Sequence, residues 1–530
     1  MKKFLKVLSI ILASLMLIAI VAAFILPSFL EEPLQKALIE EFDKQTEQNY
    51  ILDFSDLNIE LFSRSISVDS ISIRADSTSP HIQHISSASI SLNGIKWLSL
   101  LSKSLPDFSS ITITEPRVEL LERNLSSLFQ KDSEIDSSKT DSTIQGLDTF
   151  NLFIINGSGV INQADGRELL SISDINLDVQ AIDINKLLNG SDVLFMENVN
   201  ANVTNLKWTL HDRFYEFTLT ELSFDKANES VSLTDIGFTP ILPKYEFSEA
   251  RGYQLDRINL DIPKIQLTGI NIDSLQSKHL EVQKIQINDA WMEVFRNKQI
   301  DRRSGENIKP LLNEIANAID FSIGLDSILI SDATIIYEEH KPPSEKSGSI
   351  SFDDLDAELT NFRTAQHPEF ENTVLDLHVE TLFMNTAQLT IDVNYPLYNV
   401  NEHHTVKAQL ESLDPKIAGE ILENVGFVRI EEGFIESLDA EFELTAESSS
   451  GEALILYRDL KVSMLNHNNP EKEGLGQRFK DFVANTFAIK ADNNGDDPRI
   501  GEIDFDREKE KSIFAFWWKS LLSGLKDTIQ

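Results

Sequence analysis

The alternation of apolar and polar positions is clearest in residues 328–337, a ten-residue segment that recurs along the chain. Each copy has two apolar residues two positions apart, then an acidic and a small residue, then a second apolar pair. The aligned sets are Ile328, Ile330, Asp332, Ala333, Ile335 and Tyr337; Ile285, Ile287, Asp289, Ala290, Met292 and Val294; and Ile111, Ile113, Glu115, Pro116, Val118 and Leu120. Apolar residues at a period of two predict β-strands with one apolar face.

The parity of the apolar positions shifts by one residue between the two halves of every copy. Two looser copies, residues 153–160 with Phe153 and Ile155 as the first apolar pair, and residues 428–435, have the same shift. A one-residue shift turns the apolar side outward unless a β-bulge or a tight turn absorbs the extra residue. Small residues, Gly and Pro suit such a position. The repeat therefore predicts a bulge or turn at the acidic-small pair, as at Asp332.

The N-terminal part of the chain has a different pattern. Residues 7–26 are uncharged, and two serines alone interrupt their apolar character. At 1.5 Å per residue such a run spans about 30 Å, the thickness of the bilayer's hydrocarbon layer. Three lysines precede it and two glutamates follow it closely, so the positive-inside rule leaves the N-terminus cytoplasmic. We expect a single-pass transmembrane anchor over residues 1–30; the alternative is a signal peptide cleaved near residues 19–23.

Helical spacing appears at three further places. Leu34, Leu38 and Phe42 predict an amphipathic stalk helix over residues 31–50, and residues 311–319 predict a short helix. In the C-terminal segment, residues 506–530, one helical face carries the apolar residues Phe514, Trp517, Leu521, Leu525 and Ile529, accompanied by Lys511, Lys519 and Lys526. Apolar residues opposite lysines are typical of a helix that contacts a membrane surface or caps a groove. The alternative is a helix docked on the end of the sheet.

The predicted fold is mainly β: an N-terminal transmembrane helix, a long, curled antiparallel β-sheet that forms an elongated apolar groove over residues 51–505, and a C-terminal amphipathic helix. Strand patterns follow one another with one polar and one apolar face. Modules of about 100 residues, typical of β-sandwiches, are not recognisable, so an open sheet is favoured. The residues expected to line the groove are Ile111, Ile113, Ile285, Ile287, Ile328 and Ile330. Thr112 and Gln286 are expected on the opposite face.

The composition of the chain excludes some classes of partner and of chemistry. The chain has 47 basic and 85 acidic residues, a formal net charge of −38 and a pI near 4.6, which repels a nucleic-acid backbone. Nucleic acid is therefore not an expected partner. The chain contains no cysteine, which excludes thiol catalysis, disulfides and cysteine-ligated metals, and is compatible with an oxidising compartment.

Patterns typical of catalysis or metal binding are missing from the sequence. Ten histidines are scattered, and the close pairs His81 with His84 and His403 with His404 do not form a His-Glu-x-x-His zinc motif. Neither a nucleophile elbow nor a phosphate-binding glycine loop is present. The acidic cluster at residues 353–356 lacks the glycine and distant glutamate of a calcium loop. We expect no catalytic, cofactor or metal site, and a protein that is not an enzyme.

The lysine-flanked anchor, the strand pair in residues 57–73, the repeat in residues 111–120 and the closing segments at residues 483–490, 503–514 and 518–526 together resemble AsmA-like proteins of the Gram-negative envelope, in the form found in Bacteroidota-type bacteria. The resemblance covers nearly the whole chain. It implies an inner-membrane anchor and a periplasmic β-groove related to bridge-like lipid transfer proteins. The implied partners are phospholipid acyl chains, the inner membrane and the inner leaflet of the outer membrane, and the implied role is lipid homeostasis of the outer membrane.

Three functions remain as alternatives at this point. The first is a groove that binds or conducts phospholipid. The second is a non-conducting envelope scaffold or assembly factor that acts through protein contacts, and the third is an envelope hydrolase. Lipid bound to the purified protein separates the first from the second, and hydrolytic activity identifies the third.

Overall fold

The computed structural model describes residues 31–46, 50–60, 63–75, 82–96, 108–122, 149–183, 198–210, 212–272, 274, 277–303, 308–465 and 490–529. The anchor expected over residues 1–30 lies outside these ranges. Among the helices that are described, none combines the length and the apolar character needed to cross a bilayer.

The described chain is mainly β, as predicted, and its strands belong to one large sheet. It divides into two compact units, residues 1–234 and 235–530. The strands that begin before the division are β1 (Tyr50–Asp53), β2 (Asp56–Glu60), β3 (Ser65–Ala75), β4 (Ile82–Asn93), β5 (Ser110–Thr114), β6 (Arg117–Leu121), β7 (Thr149–Asn162), β8 (Glu168–Asp183), β9 (Asn198–Thr209), β10 (Tyr215–Asp225) and β11 (Ser230–Pro240), which crosses it.

The strands of the second unit include the longest one of the described chain, which has 19 residues. They are β12 (Asp256–Asn271), β13 (His279–Asn288), β14 (Trp291–Asn297), β15 (Ser322–His340), β16 (Gly348–Arg363), β17 (Leu375–Phe383), β18 (Ala387–Tyr395), β19 (His404–Leu410), β20 (Val428–Leu444), β21 (Ser448–Met464) and β22 (Gly501–Asp506). The helices are α1 (Glu31–Gln45), α2 (Lys244–Arg251), α3 (Leu312–Ala318) and α4 (Ile513–Ile529). Short helical turns lie at Phe370–Asn372, Pro415–Ala418, Gly419–Ile421 and Leu422–Gly426. Helices α3 and α4 occur where helical spacing predicted them.

Most neighbouring strands pair antiparallel, but the expectation of a wholly antiparallel sheet is wrong at two places. Strand β7 runs parallel to β5 and β6, and β15 runs parallel to β13 and β14. More than twenty residues separate β6 from β7 and β14 from β15. Connections of this length can return the chain to the end at which the previous strand began, which a parallel pairing requires.

The strands that pair in parallel contain the copies of the sequence repeat. In the first pair the Glu115 N–H donates to the Ile155 carbonyl, and the Ser158 N–H donates to the Pro116 carbonyl, each at 2.7 Å. The second pair has the same two bonds, from Asp289 to Ser331 at 3.0 Å and from Thr334 to Ala290 at 2.8 Å. Copies of one sequence pattern thus lie side by side with their breaks aligned.

The predicted bulges are confirmed at these breaks. Asp332 has a φ of 56°, Asp289 of 55° and Glu115 of 51°, and the register between β15 and β16 shifts after Ile330. Asp and Asn adopt this left-handed conformation more readily than most residues, which accounts for the aspartates at positions 289 and 332. The bulge lets both halves of a strand keep their apolar side on one face.

The alignment of the looser copy is wrong by one residue. Leu152 and Ile154, rather than Phe153 and Ile155, face Ile111 and Ile113 across the parallel ladder. Ile155 is exposed. The extra residue of this copy is Asn156, which has a φ of 54° and precedes the glycine at which the sequence alignment placed the break. An Asn accommodates that conformation as Asp332 does in the later copy, so the parity shift occurs one residue earlier.

Candidate functional site

Two rows of apolar side chains cross the sheet of the second unit, perpendicular to its strands; we call them the apolar rows. Each member is the registered neighbour of the next, from β12 through β13 and then from β15 to β22. The first row is Leu267, Ile285, Ile328, Leu359, Leu377, Val393, Val406, Phe442, Gly451 and Ile503. The second is Ile265, Ile287, Ile330, Ala357, Val379, Ile391, Ala408, Ala440, Ala453 and Gly501. Four of the six predicted groove residues therefore lie together.

The residues between the two apolar rows point to the opposite face and form the polar row. It consists of Gln266, Gln286, Leu329, Glu358, His378, Asp392, Lys407, Glu441, Glu452 and Glu502. Cross-strand polar contacts occur within it: Lys407 Nζ lies 3.0 Å from Glu441 in an ion pair, and His378 Nδ1 lies at hydrogen-bond distance, 2.7 Å, from Asp392. The hydrogen bond to the Asp392 carboxylate raises the pKa of His378. The sheet thus has one apolar and one charged face, as the alternation predicts.

The apolar rows are covered unevenly. From β18 onward most members are buried, with residues such as Val393, Val406 and Phe442 in a cluster that also includes Ala316 of α3 and Phe516 of α4, and Leu359 and Leu377 pack against that cluster. On β13 and β15 the four isoleucines at 285, 287, 328 and 330 are half-exposed. Half-exposed isoleucines in register on neighbouring strands form a continuous apolar surface, which is the kind of surface that binds an apolar partner.

The other two predicted groove residues lie in the first unit and are more deeply buried. Ile111 is 2% exposed and Ile113 is 6% exposed, in a cluster that contains Leu38 and Phe42 of α1. Helix α1 therefore contributes to the cover over this part of the sheet. Packed side chains of the chain itself already occupy the surroundings of Ile111 and Ile113.

Helix α4 docks on β21 and β22 through a face that the sequence did not indicate. Its buried residues, four positions apart, are Phe516, Ser520, Gly524 and Thr528. Of the predicted face, Trp517, Leu521 and Leu525 pack beside them in the same cluster, whereas Phe514 is 69% exposed. A helix rests closest to a sheet where its side chains are smallest, so small residues define the contact line while larger ones flank it.

One buried network fixes α4 to the sheet. Trp517 Nε1–H donates to His404 Nε2 at 3.0 Å, and His404 Nδ1–H donates to the Glu402 carbonyl at 2.6 Å. His404 also stacks on Tyr395, with ring centroids 4.2 Å apart. His404 is fully buried, and burial lowers its pKa to about 4. The imidazole is therefore neutral at pH 7 and accepts the hydrogen bond from the indole N–H.

A group with metal-binding composition, undetected in the sequence, joins β13 to the loop after β16. His279, Glu281 and His367 place one donor atom each within 4.8 Å of one another. Both histidines direct Nε2 at the same Glu281 oxygen, at 2.8 and 2.7 Å. No sequence pattern indicated this group, because 86 positions separate Glu281 from His367.

The hydrogen bonds of this group do not suit a metal ion. His367 Nδ1 accepts the Glu369 N–H at 3.1 Å, so the ring proton is on Nε2 and is donated to Glu281. His279 can be arranged in the same way, with Ser322 Oγ 2.6 Å from its Nδ1. A metal on Nε2 of His367 would need an unprotonated ring nitrogen in place of this donor. We assign the group as a saturated hydrogen-bonded link within the second unit.

The acidic cluster at residues 353–356 also has structural partners. Asp353 accepts a hydrogen bond from Ser351 Oγ at 2.6 Å, and Asp356 accepts the Asp332 N–H at 3.1 Å. The second bond supports the bulge backbone of β15. These carboxylates thus stabilise the paired bulges of β15 and β16.

The chain matches no protein-family model, and it matches no curated protein.

Proposed function

We propose that this protein holds and conducts phospholipid acyl chains along the apolar rows, which form one side of a groove. In this proposal residues 1–30 anchor the chain in the inner membrane, the remainder is periplasmic, and the activity supports lipid homeostasis of the outer membrane without an enzymatic step. The AsmA-like resemblance is the source of the cellular setting. The observation that carries the proposal is the pair of apolar rows, registered across ten strands and half-exposed on β13 and β15.

An uninterrupted apolar surface suits a ligand that must be held and also move. Each acyl methylene that leaves water contributes about 0.8 kcal/mol, so a full chain is retained strongly. The strands outside the buried part, β12, β13 and β15 to β17, with spacings of about 4.8 Å, give a path of roughly 20 Å along the rows. Because the lining has the same aliphatic character from one strand to the next, a chain that slides by one strand exchanges equivalent contacts and meets no deep minimum.

The proposal is tested by site-specific photocrosslinking in cells. We expect probes at Ile285 and Ile330 to capture phospholipid. A probe at Gln286, which follows Ile285 in sequence but belongs to the polar row, should capture none. Capture of lipid from both faces alike would contradict a one-sided groove. Capture of protein instead of lipid at the isoleucines would favour the scaffold alternative.

A matched pair of variants tests the same surface in the purified protein. Ile330→Asp places a charge among the acyl chains, which costs several kcal/mol when the charge is unpaired, and we expect the variant to copurify with much less phospholipid. Leu329→Asp adds the same group one residue away, on the polar row beside Gln286 and Glu358, and should keep the wild-type lipid content. Equal lipid content in the two variants would rule the rows out as the binding surface.

A further inference from the structure

The apolar face of the second unit is bordered by a row of charged side chains at the ends of β12, β14 and β15. Ile258, Val294 and Tyr337 are registered neighbours, and the residues two positions further on are Asp256, Arg296 and Glu339, which are also neighbours. Residues two apart on a strand share a face. The charged row therefore borders the apolar face at its edge.

Five cations gather at this border, and we call them the rim cluster: Arg296, Lys298, Arg302, Lys511 and Lys519. They come from β14, from the loop that follows it, from the segment before α4 and from α4 itself. Two contacts join these parts of the chain: the Lys309 N–H donates to the Lys509 carbonyl at 2.8 Å, and Arg507 Nη2 donates to the Lys309 carbonyl at 2.6 Å. The cluster is thus brought together by residues about 200 positions apart in sequence.

Three of the five cations have a carboxylate partner. Arg296 Nη1 lies 3.1 Å from Asp256, Lys298 Nζ lies 2.5 Å from Glu339, and Lys519 pairs with Glu508. Arg302 and Lys511 have no carboxylate at ion-pair distance in the described part of the chain. Burial would raise the pKa of Glu508, but the hydrogen bond from Lys519 and the charges of Lys511 and Arg302 lower it, so this carboxylate lies near both cations. The five cations of the rim cluster outnumber the three carboxylates paired with them, Asp256, Glu339 and Glu508, in a protein with a formal net charge of −38.

The electrostatics of Lys511 agree with this geometry. Its side chain is half-buried, and burial, followed by the nearby charges of Arg302, Arg296, Lys298 and Lys519, lowers its pKa to about 8. A further anion placed among these groups would reduce their mutual repulsion and give Lys511 a partner in place of the water lost on burial. Phe514 and Trp518, which follow on α4, are 69% and 57% exposed and supply apolar surface beside the cations.

We propose that the rim cluster binds the phosphate of a phospholipid headgroup, through Arg302 and Lys511, while the acyl chains of that lipid lie on the adjoining apolar face. A guanidinium offers two parallel N–H donors to a phosphate, and an ammonium adds a third charged donor. This inference rests on the proposed function, since it assigns the headgroup end of the same lipid. It implies that the groove takes phosphate-bearing lipids in preference to uncharged ones.

The test compares two lipids with identical chains. Dioctanoyl phosphatidylglycerol carries the phosphate, dioctanoylglycerol lacks it, and the Kd of each is measured for the purified full-length chain in detergent. We expect wild type to bind the phospholipid at least about tenfold more tightly. One hydrogen bond between charged groups is enough for a preference of this size, and the uncharged lipid cannot form it. The double variant Arg302→Ala/Lys511→Ala should lose this preference and keep the dioctanoylglycerol affinity of wild type.

The control removes the same number of positive charges from the polar face. Lys407→Ala/Lys461→Ala eliminates two exposed lysines that pair with Glu441 and Glu432. We expect this variant to retain the full preference for the phospholipid. Equal loss in the two double variants would show that net charge, and not the rim cluster, sets the affinity, and would overturn the proposal.

Competition with inorganic phosphate shows whether the anion bound at the rim cluster is a lipid headgroup or free phosphate. If the site belongs to a lipid, millimolar phosphate should compete with dioctanoyl phosphatidylglycerol and leave dioctanoylglycerol binding unchanged. Phosphate that binds wild type as tightly as the phospholipid does would overturn the lipid assignment. Equal wild-type affinities for the two lipids would reject the headgroup site alone, whereas binding of neither lipid would reject the proposed function itself.

Discussion

At the scale of single residues, His404 has the most consequential environment. It is fully buried, stacked on Tyr395 and hydrogen-bonded through both ring nitrogens, so an added proton has no acceptor. The Trp517 N–H occupies the only lone pair of the neutral ring. Burial favours the neutral form and depresses the pKa to about 4. The attachment of α4 to the sheet is therefore coupled to pH through one side chain.

This coupling predicts a loss of stability in acid. The folded pKa of His404, about 4, is below the ordinary value of 6.5, so between these values the unfolded chain binds a proton that the folded chain excludes. The stabilisation is complete above pH 6.5 and decreases as the pH falls to about 4, by about 3 kcal/mol in total. Urea unfolding followed by tryptophan fluorescence at pH 7.5 and 4.5 measures it. His404→Gln should abolish this part of the difference; an unchanged difference would contradict the assignment.

At the scale of elements, the packing of α4 on β21 and β22 depends on a close approach between backbones. A Cβ added at Gly524 of α4 would lie 2.6 Å from Ile503 Cγ1 and 2.9 Å from the Ala453 Cβ. The Ala453 methyl is attached directly to a strand backbone and cannot turn away. The helix can therefore approach β21 and β22 this closely only with glycine at this position.

Gly524→Ala should therefore destabilise the protein, although the same change inside an unpacked helix stabilises it by about 1 kcal/mol. We expect a net loss of roughly 1–3 kcal/mol, the usual cost of overpacking. Gly495→Ala is the matched control because no atom lies within 4 Å of the added Cβ there. Thermal unfolding of both variants measures the effect. A Gly524→Ala protein as stable as wild type would mean that α4 is less tightly docked than the structure indicates.

At the scale of the whole molecule, charge is unevenly distributed over the two faces of the sheet. The polar row ends with Glu441, Glu452 and Glu502 as registered neighbours, and only the first has a cationic partner in the row. Like charges directly opposite each other on neighbouring strands are destabilising. Together with a formal net charge of −38, such rows leave the folded state under internal repulsion.

Salt should therefore stabilise this protein. Raising the ionic strength from 0.01 M to 0.15 M shortens the Debye length from about 30 to about 8 Å, which screens repulsion between exposed carboxylates. We expect the Tm to rise by about 2–4 °C, equivalent to about 1 kcal/mol. Glu452→Gln, which relieves the repulsion with both neighbours, should raise the low-salt Tm and reduce its dependence on salt. A Tm that falls with salt would show that exposed ion pairs outweigh the repulsion.

Local features of the fold followed from the sequence. The period of two assigned Ile285, Ile287, Ile328 and Ile330 to one face, and the parity shift located the bulge at Asp332, because both depend on residues a few positions apart. Helices α3 and α4 were recognisable for the same reason. The looser copy was placed one residue out of register, since composition alone does not distinguish which of Asn156 and Gly157 adopts the left-handed conformation.

The pairing of distant segments required the tertiary structure. Periodicity indicates which way a side chain points but not which strand lies beside it, so the parallel pairs and the length of the apolar rows were not predictable. The same applies to the link between Glu281 and His367, and to the pairing of Trp517 with His404. These contacts join residues roughly 90 to 110 positions apart, and they form only after loop closure has placed the strands. The sequence determined the two faces of each strand, whereas packing determined which part of the apolar face is covered and which is left half-exposed.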